Sequence, residues 1–251
     1  AMNFVFPSKL KVITFSLMGL GLVGIISGWI MGDHGDVHQR FWSNMMINGF
    51  FFTAIALGAL FFYAVQYAAE VAWSVQLKRI WEAMFQWLPW GLGIILLVLL
   101  VGRFGHLHHI WHWMDHDLYD VNSPKYDAII AAKGGFFADW FYWFRTIAYV
   151  LTFLLFARFF RKQSLLEDEV GGIDIHKKLF RRSALFLVFF AVFSSTLAWD
   201  WLMSIDTHWF STMYGWFVFS GMWVSCMIFS VILVLYLKKK GYLPHVNDSH
   251  I

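Results

Sequence analysis

Hydrophobic residues in this chain come in six long runs, near 12–32, 43–68, 88–102, 136–158, 183–203 and 213–237, with short polar segments between them. A helix needs roughly 20 apolar residues to cross about 30 Å of hydrocarbon. The pattern therefore predicts an all-α integral membrane protein with six transmembrane helices in a single membrane domain over 1–251. The third run is the shortest and is expected to extend into one flank. Between the second and third runs, AWSVQLKRIWEAMFQWLP at 72–89 sets Lys78, Arg79 and Glu82 among apolar residues at helical spacing. This predicts an amphipathic helix lying on the headgroups, with Pro89 starting the third span. Gly24, Gly28 and Gly32 recur every four residues in the first run, the pattern of a close helix-packing face. Gly171 and Gly172 predict a break in the charged connector 159–182.

Composition agrees with the pattern. The 251 residues are 59% hydrophobic and 21% aromatic, and only 14% are charged, against about 25% charged in a soluble domain. Mean hydropathy is +0.59. A net charge of +3 gives no hint of nucleic acid. The lone Cys226 excludes an intrachain disulfide, a Cys-ligated iron–sulfur cluster and a twin-Cys haem attachment. The first run is too long for a cleavable signal and lacks a small-residue cleavage site.

Charge on the flanks predicts orientation. Fourteen of the nineteen Lys and Arg residues fall on one alternate set of flanks and four on the other, with Arg145 inside a run. Positive residues favour the cytoplasmic side, so both termini are expected inside. The opposite, outer side then holds eight of the eleven histidines: His34, His38, His106, His108, His109, His112, His116 and His208.

Histidine titrates near neutral pH, and its clustering on one face suggests proton exchange there. If the third helix continued outward, His108/His112 and His112/His116 would be i, i+4 pairs able to chelate a metal, although the set lacks the spacing of a zinc site. Bis-His haem needs a histidine deep in each of two facing helices, and none lies mid-run. Arg145 lies roughly 9 Å deeper than Asp139 by helical rise. It needs an anionic or polar partner. Asp139, about 240° round the same helix, is turned away, which leaves Asp200 of the fifth run. An Arg145–Asp200 pair would be a structural tie between helices, or the border of a polar cavity. In the segment 198–216, Asp200 and Ser204 are i, i+4, while Asp206 and His208 sit at the outer turn, Asp206 as a helix cap.

The motif WDW-x-MS-x-D-x-HWFS at 199–211, with FVFS at 217–220, resembles the NrfD-like family of membrane subunits. Within it, the chain is most similar to the ActF-type subunits of bacterial alternative complex III, a quinol:electron-acceptor oxidoreductase. SKLK at 8–11, the stretch 72–89, HLHHIWHWMD and YLKKKGYLPHVNDSHI carry the same resemblance over essentially the whole chain. It implies a four-helix bundle with flanking helices in a subunit of about ten, so that further C-terminal helices are expected. It also implies a multi-pass place in the bacterial inner membrane. Expected partners are a paralogous NrfD-like subunit, an iron–sulfur subunit and c-type cytochromes, with lipid around them. The iron–sulfur clusters and haems would belong to those partners, with no metal or haem in this chain. Quinol, as menaquinol or ubiquinol, would be oxidised in the complex. His109, His112, Asp139, Trp143 and Arg145 would line a quinone pocket in this copy if it keeps one. A proton path would run through Asp139, Arg145, Asp200, Ser204 and His112, with Asp206 and His208 at its mouth. The rival readings are a scaffold subunit and a haem- or metal-binding electron carrier.

Overall fold

The computed structural model describes residues 6–31, 38–244 and 246–247. Gly32 and His34 lie outside them. The described chain is helical, with no strand among the described residues: α1 Ser8–Ile30, α2 Gln39–Ala68, α3 Lys78–Phe85, α4 Leu88–Gly105, α5 Ala128–Ala132, α6 Gly134–Phe137, α7 Asp139–Val170, α8 Ile173–Trp201 and α9 Tyr214–Lys239. Six helical stretches are long and apolar enough to cross a membrane, the third of them running over Lys78–Gly105 through α3 and α4. The short third run does extend into its flank, and it does so through α3.

The element boundaries have local causes. Pro89 sits in the first turn of α4, where its missing N–H leaves no intrahelical bond unmade. The same helix stops because His106 turns left-handed, with φ at 49°. α7 and α8 run far past the expected 158 and 183 and meet at Gly171 and Gly172, whose φ values of 68° and 100° suit residues without a Cβ. The connector 159–182 is thus two helix ends and a two-residue break.

α2 lies at the centre, against α3, α4, α8 and α9, while α4 also meets α7 and α7 meets α8. The contacts α2–α4–α7–α8–α2 close a ring of four helices. Its middle layer is apolar and aromatic, with Leu57, Leu60, Phe153, Phe160, Phe186 and Phe190 all buried. α9 packs along one side through a stripe that includes Met222, Cys226 and Ser230. At its closest approach, a Cβ on Gly58 would stand 2.7 Å from the Cys226 Cβ.

Two expectations are corrected here. α1 buries none of its residues. Among the described residues Gly24 meets nothing and Gly28 comes only within reach of Phe41 of α2, so these two glycines bring no helix into close packing. α3 does not lie loose on a headgroup surface, because Lys78, Ile80, Trp81, Glu82, Met84 and Phe85 are all buried. Its charged residues face protein: Glu82, 0% exposed, accepts bonds from Arg79, Arg161 and Ser164. Lys78 reaches Glu167 at 3.1 Å and Asp168 at 2.8 Å. The hydrophobic pattern alone cannot distinguish polar groups that face water from polar groups that face a neighbour's charges.

Candidate functional site

The deepest ionic centre lies where α7 and α8 cross. The Arg145 guanidinium donates from Nε to Asp200 Oδ2 at 2.8 Å and from Nη2 to Oδ1 at 2.7 Å. Tyr149, one turn further along α7, donates its hydroxyl to Oδ2 at 2.7 Å. Asp200 is 0% and Arg145 9% exposed. Burying two such charges costs several kcal/mol each unless the geometry is good and the remaining lone pairs are filled. The fork-to-fork geometry and the tyrosine meet that need on the carboxylate side.

The guanidinium is less completely served. Nη2 also donates to the Phe136 carbonyl at 3.1 Å, and the rings of Phe136 and Phe141 cover the cation at 4.1 and 4.2 Å. Nη1 is buried and finds no partner among the described residues. Trp201 closes the inner side, its Nε1 donating to Thr146 and its carbonyl accepting from Trp111. On the outer side Ser204 donates to the Asp200 backbone carbonyl, not to its carboxylate. Ser204 and Phe136 are also walls of a cavity of about 350 Å³, so one layer of side chains separates the ion pair from open space.

The structure distributes the other candidates. Asp139 begins α7 and pairs with Arg103, which donates from Nε at 3.1 Å and from Nη2; the carboxylate is half exposed, not a turn deep. Arg103 further donates to the Met114 carbonyl and to His116 Nε2. His109 and His112 line a separate polar cavity of about 210 Å³ with Arg103 and His116. Trp143 stacks on Phe104 at 5.8 Å. The five residues expected around a quinone ring therefore line no single one of these cavities.

The segment 198–216 differs from its expected form as well. Asp206 caps no helix: its carboxylate accepts the His208 N–H at 3.2 Å, and α9 begins eight residues on. His208 is tied back to Asp127 at 2.6 Å, and Asp127 is the cap that holds α5 through the Ile129 and Ile130 N–H groups. Those N–H groups and His208 hold the Asp127 carboxyl below its ordinary range.

The i, i+4 histidine pairs do not form, since the helix that would carry them ends at Gly105. His108 packs inward instead, its Nε2 donating to the Val98 carbonyl at 2.9 Å and its Nδ1 accepting from the Ile110 N–H. Both ring nitrogens are thereby assigned to a neutral imidazole, and burial pushes its pKa down. Among the described residues, no three His, Cys, Asp or Glu side chains are grouped to hold a metal. Sequence reasoning missed Arg103 and Glu82. Arg103 reads as a flank charge and Glu82 as one polar position of the amphipathic stretch 72–89, and neither has a sequence neighbour that reveals its partner 36 or 79 positions away.

Comparison with family models and with curated proteins returns no match for this chain.

Proposed function

We propose that this chain is a multi-pass subunit of a quinol-oxidising respiratory complex in the bacterial inner membrane, and that it supports proton movement instead of carrying electrons. The sequence resemblance to NrfD-like, ActF-type subunits suggests the complex. The four-helix ring with α1 outside it supports that reading. The flank charges favour an orientation with both termini in the cytoplasm. Partners under this reading are a paralogous membrane subunit, an iron–sulfur subunit and c-type cytochromes, which carry the redox groups.

The observation that carries the proposal is the buried Arg145–Asp200–Tyr149 centre. Its guanidinium keeps one terminal nitrogen, Nη1, without a partner among the described residues, and a cavity lies one side chain away. Ionisable groups at such depth are costly and are kept where a function uses them. The route then runs from Asp200 past Ser204 to Asp206 and His208. In this reading Asp139, paired with Arg103, and His112, in the cavity beside it, lie off the route.

A second reading, a permanent tie between α7 and α8, is favoured by the three hydrogen bonds the Asp200 carboxylate accepts. Asp200→Asn separates the two. It preserves shape and most hydrogen bonds but removes the charge. The proton reading expects quinol turnover or proton release to fall at least tenfold in an assembled complex, measured with a pH-sensitive dye in vesicles. Unchanged turnover with unchanged assembly refutes it.

A further inference from the structure

The cavity of about 350 Å³ is bounded by the segments 132–137 and 199–212. Its volume falls at the low end of ligand sites, roughly 300–1,000 Å³. Most of its wall is apolar, with five aromatic rings, and two opposite charges share it: Lys133 and Asp206. The Lys133 ammonium donates to the Thr207 carbonyl and lies 5.7 Å over the Phe210 ring. Among the described residues, no carboxylate pairs with it. The Asp206 carboxylate accepts only the backbone N–H of His208 among those residues. Trp199 is also in the wall, through its ring; its Nε1 is sealed from solvent and has no acceptor among the described residues.

An occupant must therefore offer an apolar body to the rings, an anionic oxygen to Lys133, and a cation to Asp206. The rim supplies the context. Trp209 and Phe210 are exposed there, and such side chains favour the level of lipid headgroups. We propose that this cavity binds one zwitterionic phospholipid of the phosphatidylethanolamine class. Its phosphate lies toward Lys133, its ammonium toward Asp206, and an acyl chain against Phe136 and Phe210. A purely anionic headgroup would leave Asp206 facing negative charge, and a choline headgroup has no N–H to donate. The inference rests on the cavity alone and stands whether or not protons pass through Asp200.

The test uses the purified chain in detergent, stripped of lipid and exposed in turn to dioctanoyl phosphatidylethanolamine, phosphatidylglycerol and phosphatidylcholine, with retained lipid counted by native mass spectrometry. One ethanolamine lipid is expected to be retained about tenfold more tightly than either competitor, the value of one charge-assisted bond. Lys133→Gln and Asp206→Asn should each remove that preference. Gly135 lines the cavity, and a Cβ there meets nothing within 4 Å. Gly135→Leu should therefore expel the lipid with both charges in place and helicity unchanged by circular dichroism. Equal or better retention of phosphatidylglycerol, retention indifferent to Asp206, displacement by millimolar inorganic phosphate alone, or preferred uptake of an isoprenoid quinone would each overturn the proposal.

Discussion

The Arg145–Asp200 pair can be taken apart in a way that measures what it does for the fold. Asp200→Leu removes the acceptor of two guanidinium bonds and of the Tyr149 hydroxyl bond. Arg145 would keep only the Phe136 carbonyl and two ring faces. Leaving one member of a buried pair uncompensated costs about 3–5 kcal/mol. Combining Arg145→Met with Asp200→Leu removes both charges, and hydrophobic replacement of a whole buried pair is often neutral. What then remains is the Tyr149 hydroxyl without its acceptor, about 1–3 kcal/mol, and Tyr149→Phe should recover that. The expected order of stability is wild type close to the triple variant, then the double, then Asp200→Leu. Unfolding in detergent followed by tryptophan fluorescence would rank the four. A cost below about 1 kcal/mol for Asp200→Leu would mean that the pair is hydrated. A triple variant as weak as the single would mean that the charges support structure beyond their own contacts. Either result would refute the local account. Turnover of the restored triple variant, if it stays lost, separates function from stability.

Two further outcomes follow from the packing. Gly58→Leu forces a side chain into Cys226 and the Met222 carbonyl, which lie 2.7 and 3.2 Å from an added Cβ. Overpacking of this kind costs about 1–3 kcal/mol; a crosslink between cysteines placed on α2 and α9 should form more slowly as the helices part. His108 gives a pH dependence. Its folded pKa lies below its unfolded value near 6.5, so the unfolded state binds more protons and the contribution of His108 to stability is lost as pH falls below that value. His108→Gln, compared with wild type between pH 7.5 and 5, should flatten the slope of stability against pH, and an unchanged slope would show that the imidazole is not held neutral.

How much of this was legible in the sequence depended on whether a partner could be inferred from depth. Asp200 and Arg145 stand out as lone charges at matching positions in two apolar runs, so their pairing could be argued before any coordinates. Six residues of helical rotation likewise separate Asp139 from Arg145, and the structure sends them to different partners. Arg103 and Glu82 lie at the ends of runs, where a charge is ordinary, and only the packing of α3 and α4 against α7 gives them roles. The histidines misled because their spacing assumes a helix. The left-handed His106 ends it first, and the chain reverses through short 3-10 turns. Asp206 misled in the same way, since capping requires a helix start that comes only at Tyr214. Six spans follow from hydrophobicity summed over twenty positions; a site depends on single side chains across separate helices.

α7 carries ion pairs near both of its ends. Arg145 is anchored to α8 near one end, and Arg161, sixteen residues on and about 24 Å away by helical rise, is anchored to Glu82 of α3 near the other. A rod held at two points to two different neighbours can neither slide along its axis nor turn about it without breaking both. α9 is mounted differently, packed on α2 and α8 through Met222, Cys226, Ser230 and Val234 and through the rings of Phe219 and Trp223, with Ser230 touching Met84. In mechanical terms α7 is pinned by charge at its two ends, whereas the middle of α9 is held by packing.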